Sequence, residues 1–192
     1  MLADERLRDV LAAFASPTPT PAGGSASALA SAVGVSLLIM AARLPKTRAG
    51  SDEDRRLLTE AAVALTRLQQ ALSEAIDRDA DAYARLVSAR GRARHAAIAA
   101  AIDVPLQVMR WSSDALKVAA VVAARCHPPA SSDVRVGIDL LHAGLSGARS
   151  SALANLPGVS DERSVGLLRA EIDRLSEEAG AAIEAARAEP ES

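Results

Sequence analysis

Between Ala22 and Ala42 the chain carries no charge, and the stretch "GGSASALASAVGVSLLIMAA" (residues 23–42) is built almost entirely from glycine, alanine, serine and small aliphatic residues. A run this long and this small-sided limits the fold sharply. It is long enough to cross a bilayer, and "RLPKTR" behind it resembles a cationic flank. Its serines Ser25, Ser27, Ser31 and Ser36, its Gly34 and its scarcity of large side chains before Leu37 make it a weak membrane span. A core helix buried on all sides is the expectation, with no membrane contact. Neighbours of such a helix approach closely, because its side chains are short.

Three prolines on alternate positions, Pro17, Pro19 and Pro21, fix an extended approach to this helix, and Gly23 and Gly24 permit backbone approaches that a Cβ would forbid. Ser25 is placed to cap the helix. A glycine turn at a helix start leaves free N–H groups and the positive end of the helix dipole, which suits a carbonyl, carboxylate or phosphate. The nucleotide-binding G-x-x-x-x-G-K-S/T pattern is absent.

The rest of the chain repeats the helical signal. Leu7, Val10, Leu11 and Phe14 define a short amphipathic cover over Ala3–Ala15. Helix two ends before Pro45, helix three covers Asp52 to about Ala89, and helix four covers Ala93–Cys126 with a kink or split expected near Asp103 because of Pro105. "HPPASSD" introduces helix five, to Asn155, and Ser160 or Asp161 caps helix six, to Arg187, with a frayed "EPES" tail. No period-two alternation marks a strand. The expected fold is all-α: one domain over 1–192, a compact bundle of about six helices, mainly antiparallel and dimer-forming. Aromatic residues are only 2% of the chain, so Ala, Leu, Val and Ile must fill its core.

With 22 Lys and Arg against 24 Asp and Glu, the net charge of -2 leaves no basic excess for a nucleic-acid surface. Cys126 is the single cysteine, and His95, His127 and His142 show no metal-ligand spacing, so neither a disulfide nor a metal is expected. The amino terminus lacks a signal-peptide pattern, and the cytoplasm is the default compartment.

Helix three carries the sharpest chemical signal. Ala61, Leu65, Leu68, Leu72, Ile76, Tyr83 and Leu86 fall on one stripe, and Asp79 sits at its centre. Asp77 and Asp81 project to the opposite, solvent side. A carboxylate inside an apolar seam is costly unless it is paired or used, which makes Asp79 a general-base candidate; a buried acid bonded to an arginine or a helix end is the alternative. "RLPKTR" offers Arg43, Lys46 and Arg48 as loop cations, "ARGRARH" reads as surface, and Gly137, Gly144, Gly147 and Ser151 form a smooth face for a neighbouring helix.

Taken in order, "TPTPAGGSASALASAVGVSLLIMAARL", "LSEAIDRDADAYARL", "VPLQV" and "SSDVRVGIDLLHAGLSGARSSALANL" resemble the cyclodeaminase/cyclohydrolase family of folate one-carbon metabolism. The resemblance implies a helical dimer, a reduced folate as substrate and no cofactor. Gly23, Gly24, Ser25, Lys46, Asp77, Asp79, Tyr83, Asp133 and Asn155 take matching motif positions; for the implied reaction Asp79 and Asp133 are the catalytic candidates, and Gly23, Gly24, Ser25, Lys46, Tyr83 and Asn155 the substrate-binding ones. The implied reaction is hydrolysis of 5,10-methenyltetrahydrofolate to 10-formyltetrahydrofolate, with formiminotetrahydrofolate cyclodeamination as the alternative. The chain departs from the family at Ala22, where a third glycine is usual, and at Ser151, where an asparagine is usual. Those departures leave open a non-catalytic bundle that keeps the fold for dimerisation or partner binding.

Overall fold

Residues 1–188 are described by a computed structural model; the "EPES" tail lies outside them. Among the described residues there are six α-helices: α1 (Leu7–Ala15), α2 (Gly23–Ala42), α3 (Asp52–Ser88), α4 (Arg92–Arg125), α5 (Ser131–Asn155) and α6 (Glu162–Arg187). Short 3₁₀ turns at Leu2–Asp4, Pro128–Ala130 and Leu156–Gly158 punctuate them.

The small residues of α2 explain the arrangement. Helix α2 lies antiparallel to α5, and a Cβ added at Gly34 would stand 2.6 Å from the Gly137 carbonyl oxygen, while one at Gly144 would stand 2.6 Å from that of Ser27. The backbones nearly touch, so dispersion contacts along the pair replace the large side chains the chain lacks. Across the core, the hydroxyls of Ser31 and Ser112 join α2 to α4 at 2.8 Å. Ser27 and Ser36 donate to carbonyls one turn back, at Gly23 (2.6 Å) and Ala32 (2.7 Å), so these polar atoms enter the core already satisfied. This is how an apolar core helix can be rich in serine.

Helix α2 meets the length and composition of a membrane span, with mean hydropathy 1.9, yet 61% of that window is buried by the bundle. It is not buried on all sides as its sequence suggests. Ala26, Val33 and Met40 are exposed and Ala30 and Leu37 half-buried, at spacings that alternate four and three.

Helix α3 runs antiparallel to α2, and α4 returns beside α3. Helices α4 and α6 are a parallel pair, cross-linked by Arg110–Glu171 at 2.8 Å and Lys117–Glu178 at 2.9 Å. Pro105 does not split α4, which is continuous over 34 residues. A proline leaves the carbonyl four residues earlier without its helical donor. That carbonyl belongs to Ala101, and the Asn155 side-chain amide donates to it at 3.1 Å from α5. Replacing Asn155 with alanine is expected to cost about 1–3 kcal/mol, because a buried acceptor loses its donor. Pro105→Ala, which restores an N–H, should recover most of that loss in a double-mutant cycle read by urea unfolding; independent, additive costs would disprove the pairing.

The amino terminus differs most from expectation. Helix α1 starts at Leu7 rather than Ala3, and only Val10 of its stripe is buried, with Leu7 68% and Leu11 57% exposed. Asp77 accounts for the shift. It does not face solvent freely but accepts hydrogen bonds from the N–H groups of Leu2 (2.6 Å) and Ala3 (3.4 Å), holding the preceding turn on α3. Asp81 is exposed.

Candidate functional site

The site lies where α2 begins. Ala22 is the residue before the first helical turn, so Ser25 is not the cap; it stands inside the helix, fully buried. Its hydroxyl lies 2.8 Å from the Ile76 carbonyl oxygen and 3.1 Å from Asp79 Oδ2. One proton faces two acceptors. Donation to Ile76 leaves the Ser25 lone pairs for a protonated Asp79, whereas donation to Asp79 favours the carboxylate, so the hydroxyl can follow the protonation state of its neighbour.

Asp79 therefore takes the position against a helix start that its alternative reading anticipated. Burial pushes its carboxyl above the usual carboxylate range, and the Ser25 hydroxyl and N–H pull it part of the way back. Gly24 makes the approach possible. A Cβ there would stand 2.1 Å from Asp79 Oδ1 and 2.4 Å from its Cγ, so no other residue leaves room for the carboxylate. Gly23 has no such constraint: it is exposed, and a Cβ added to it would come no nearer than 3.9 Å to its closest neighbour, the Ser151 hydroxyl. Tyr83, one helical turn beyond Asp79, is 39% exposed at the same end of α3.

Two of the sequence candidates lie elsewhere. Helix α2 spans about 30 Å, and Lys46 lies past its far end. Helix α5 brings Ser151 to Gly23, which puts Asp133 about 27 Å away along its axis, also towards the far end. Gly23, Gly24, Ser25, Asp79 and Tyr83 thus lie at one end of the bundle, and Lys46 and Asp133 do not join them. Asn155 is at the near end, with its amide nitrogen committed to Ala101 and Ser151 carbonyls. Ser151 is the neighbour that the sequence reading did not propose; its place on the same face as Gly144 and Gly147 was the available signal. A cleft of about 620 Å³ between α4 and α6, lined by His95, Ile102, Leu106 and Leu168 among others, contains none of these residues. Among the described residues no three histidine, cysteine or acidic side chains gather at one point.

A helical bundle with a half-buried carboxyl group seated on a glycine-serine helix start is the class that fold and site define. Residues 6–174 match the family pattern of formiminotransferase-cyclodeaminase, and the chain belongs to that family. No curated protein matches it in sequence. In structure it is similar to the formiminotetrahydrofolate cyclodeaminase of Thermotoga maritima, with a TM-score of 0.92 and 19% identity over 97% of this chain and 96% of that one.

Proposed function

We propose that the chain hydrolyses 5,10-methenyltetrahydrofolate to 10-formyltetrahydrofolate, with Asp79 as general base. The seat of Asp79 carries the proposal: an acid with a raised proton affinity, on a helix start, next to a hydroxyl that can follow its protonation. As water adds to the cationic carbon between N5 and N10, Asp79 takes its proton and the cation is discharged. The carbon–N5 bond then breaks, N5 receives that proton, and loss of the remaining hydroxyl proton leaves the formyl group on N10. An ionised Asp79 also favours the cationic substrate before attack. No metal or cofactor enters these steps.

Cyclodeamination is the second reading, supported by the name of the Thermotoga maritima neighbour. There N10 attacks the formimino carbon and the departing nitrogen needs a proton, which a protonated Asp79 can give. Release of ammonia from formiminotetrahydrofolate distinguishes it.

The test is the loss of near-ultraviolet absorbance of methenyltetrahydrofolate, corrected for spontaneous hydrolysis. The base must be ionised, so the enzymatic rate should climb with pH through the raised titration of Asp79 and level off above it. Asp79→Asn should remove the acceleration and its pH limb. Full activity in Asp79→Asn would exclude the assignment.

The exposed seam of α2 supports a dimer. On α5, Val136 and Ala143 are exposed and Leu140 and Gly147 half-buried at the same alternating spacing, so each of the two helices carries an exposed row of uncharged residues. A two-fold axis crossing α2 near Val33 would set the Lys46 and Asp133 end of one protomer against the Asp79 end of its partner, and so restore those residues to the site. A monomer in sedimentation at micromolar concentration would rule this out.

A further inference from the structure

The cleft of about 620 Å³ between α4 and α6 has the size and the lining of a small-molecule site. Its floor is apolar. Ile98, Ile102 and Leu106 follow one another at four-residue spacing along about 12 Å of α4, and Val159, Leu167 and Leu168 complete it. Leu167 is 66% exposed, so an occupant would take apolar surface out of water. A Cβ at Gly158 would stand 3.1 Å from Ile98 Cδ1, so the turn before α6 closes one end tightly. At the other end Arg110 joins α4 to Glu171 of α6 through hydrogen bonds of 3.0 and 2.8 Å. Bounded at both ends, the cleft fits a molecule about as long as its floor rather than a partner helix, which needs an open groove.

The charges of the lining do not balance. Arg110 is committed to Glu171, which also lies 3.8 Å from Arg174. Two further carboxylates, Asp103 and Asp161, line the cleft, and among the described residues neither has a Lys or Arg partner. Asp103 Oδ2 accepts from the Gln107 side-chain amide at 2.6 Å, and Asp161 Oδ2 from the hydroxyl (2.5 Å) and N–H (3.0 Å) of Ser164. Those Ser164 contacts hold the Asp161 carboxyl below the usual carboxylate range, so it stays ionised at neutral pH. Each acid spends one oxygen locally and leaves the other open. His95, the remaining titratable group of the lining, is exposed. An apolar floor beside uncompensated negative charge disfavours anions and favours an apolar body that carries a cation. We propose that the cleft binds a small amphipathic amine, with its apolar part on Ile98, Ile102 and Leu106 and its ammonium beside Asp103 and Asp161. The site is separate from Asp79 and does not depend on the folate reaction.

Amide NMR titration of the intact protein with tryptamine, tryptophol and indole-3-acetate tests the cleft, because the three probes share a ring and differ in charge. Tryptamine should shift the amides of Ile98, Ile102, Leu106 and Leu168 and bind about tenfold more tightly than indole-3-acetate, with tryptophol between them. Asparagine at position 161 remains a good helix cap and at position 103 can still accept from Gln107, so Asp103→Asn with Asp161→Asn should keep the fold. Together they should weaken tryptamine about fivefold and erase its advantage over indole-3-acetate. Ala99 is exposed and lines the cleft, so Ala99→Phe should fill the space and weaken all three probes about tenfold or more, with the melting temperature unchanged. Absence of shifts at the cleft amides overturns the proposal. So does indole-3-acetate binding as tightly as tryptamine, or tryptamine affinity unaltered in the double asparagine variant. None of these readouts requires turnover, so failure of the cyclohydrolase reading would show only in the absorbance assay.

Discussion

Gly24→Ala should lose turnover by about 10²–10⁴-fold, the usual contribution of a positioned general base, while its melting temperature stays within a few degrees of wild type. The reasoning separates two consequences of one methyl group. The atoms it would meet belong to the Asp79 carboxyl group, at 2.1–2.6 Å, and the end of a side chain can turn aside. Turning aside takes the base off the α2 helix start and away from Ser25. Stability is affected less, because alanine is favoured over glycine within a helix by about 1 kcal/mol, which offsets part of the disturbance. Steady-state kinetics beside thermal unfolding would show the split. An active Gly24→Ala enzyme would mean that the carboxylate does not need this seat.

Gly144→Ala should reverse the pattern, with stability falling by about 2 kcal/mol or more and the melting temperature by roughly 4–8 °C. Its Cβ would stand 2.1 Å from the Ser31 hydroxyl and 2.6 Å from the Ser27 carbonyl oxygen. A hydroxyl can rotate, but a carbonyl in the middle of α2 cannot move without shifting the helix. The expected response is a separation of α2 from α5 along several turns, lengthening contacts as far as Gly34 and Gly137. Urea unfolding would measure it. A variant as stable as wild type would show that the two backbones are not in such close register.

Much of the architecture was legible because punctuation in the sequence coincides with the ends of helices. Pro45 follows α2, Ser51 accepts from Asp54 N–H at the start of α3, and Asp161 does the same for Ser164 at the start of α6. Asp79 was legible for another reason: a carboxylate at the centre of an apolar stripe is costly wherever the helix packs. What could not be read was which end of a long helix a motif reaches. The glycine-serine turn and Lys46 are close in the sequence, yet the helix between them carries them apart. Asn155 illustrates a different limit, since its partner is a carbonyl freed by a proline on another helix, and no spacing rule links the two. The role of Asp77 was hidden because its partners are backbone N–H groups, which every sequence contains.

The close seam between α2 and α5 also bears on how the chain is made. Roughly ninety residues separate the two helices, so synthesis from the amino terminus exposes α2 well before its covering surface exists. During that interval the nascent chain displays an uncharged helix with the hydropathy of a membrane span. Its serines, which bond within the helix or to partners still to come, are then what distinguishes it from a true membrane segment. The helix that holds the bundle together is also its most vulnerable part until the last third of the chain has emerged.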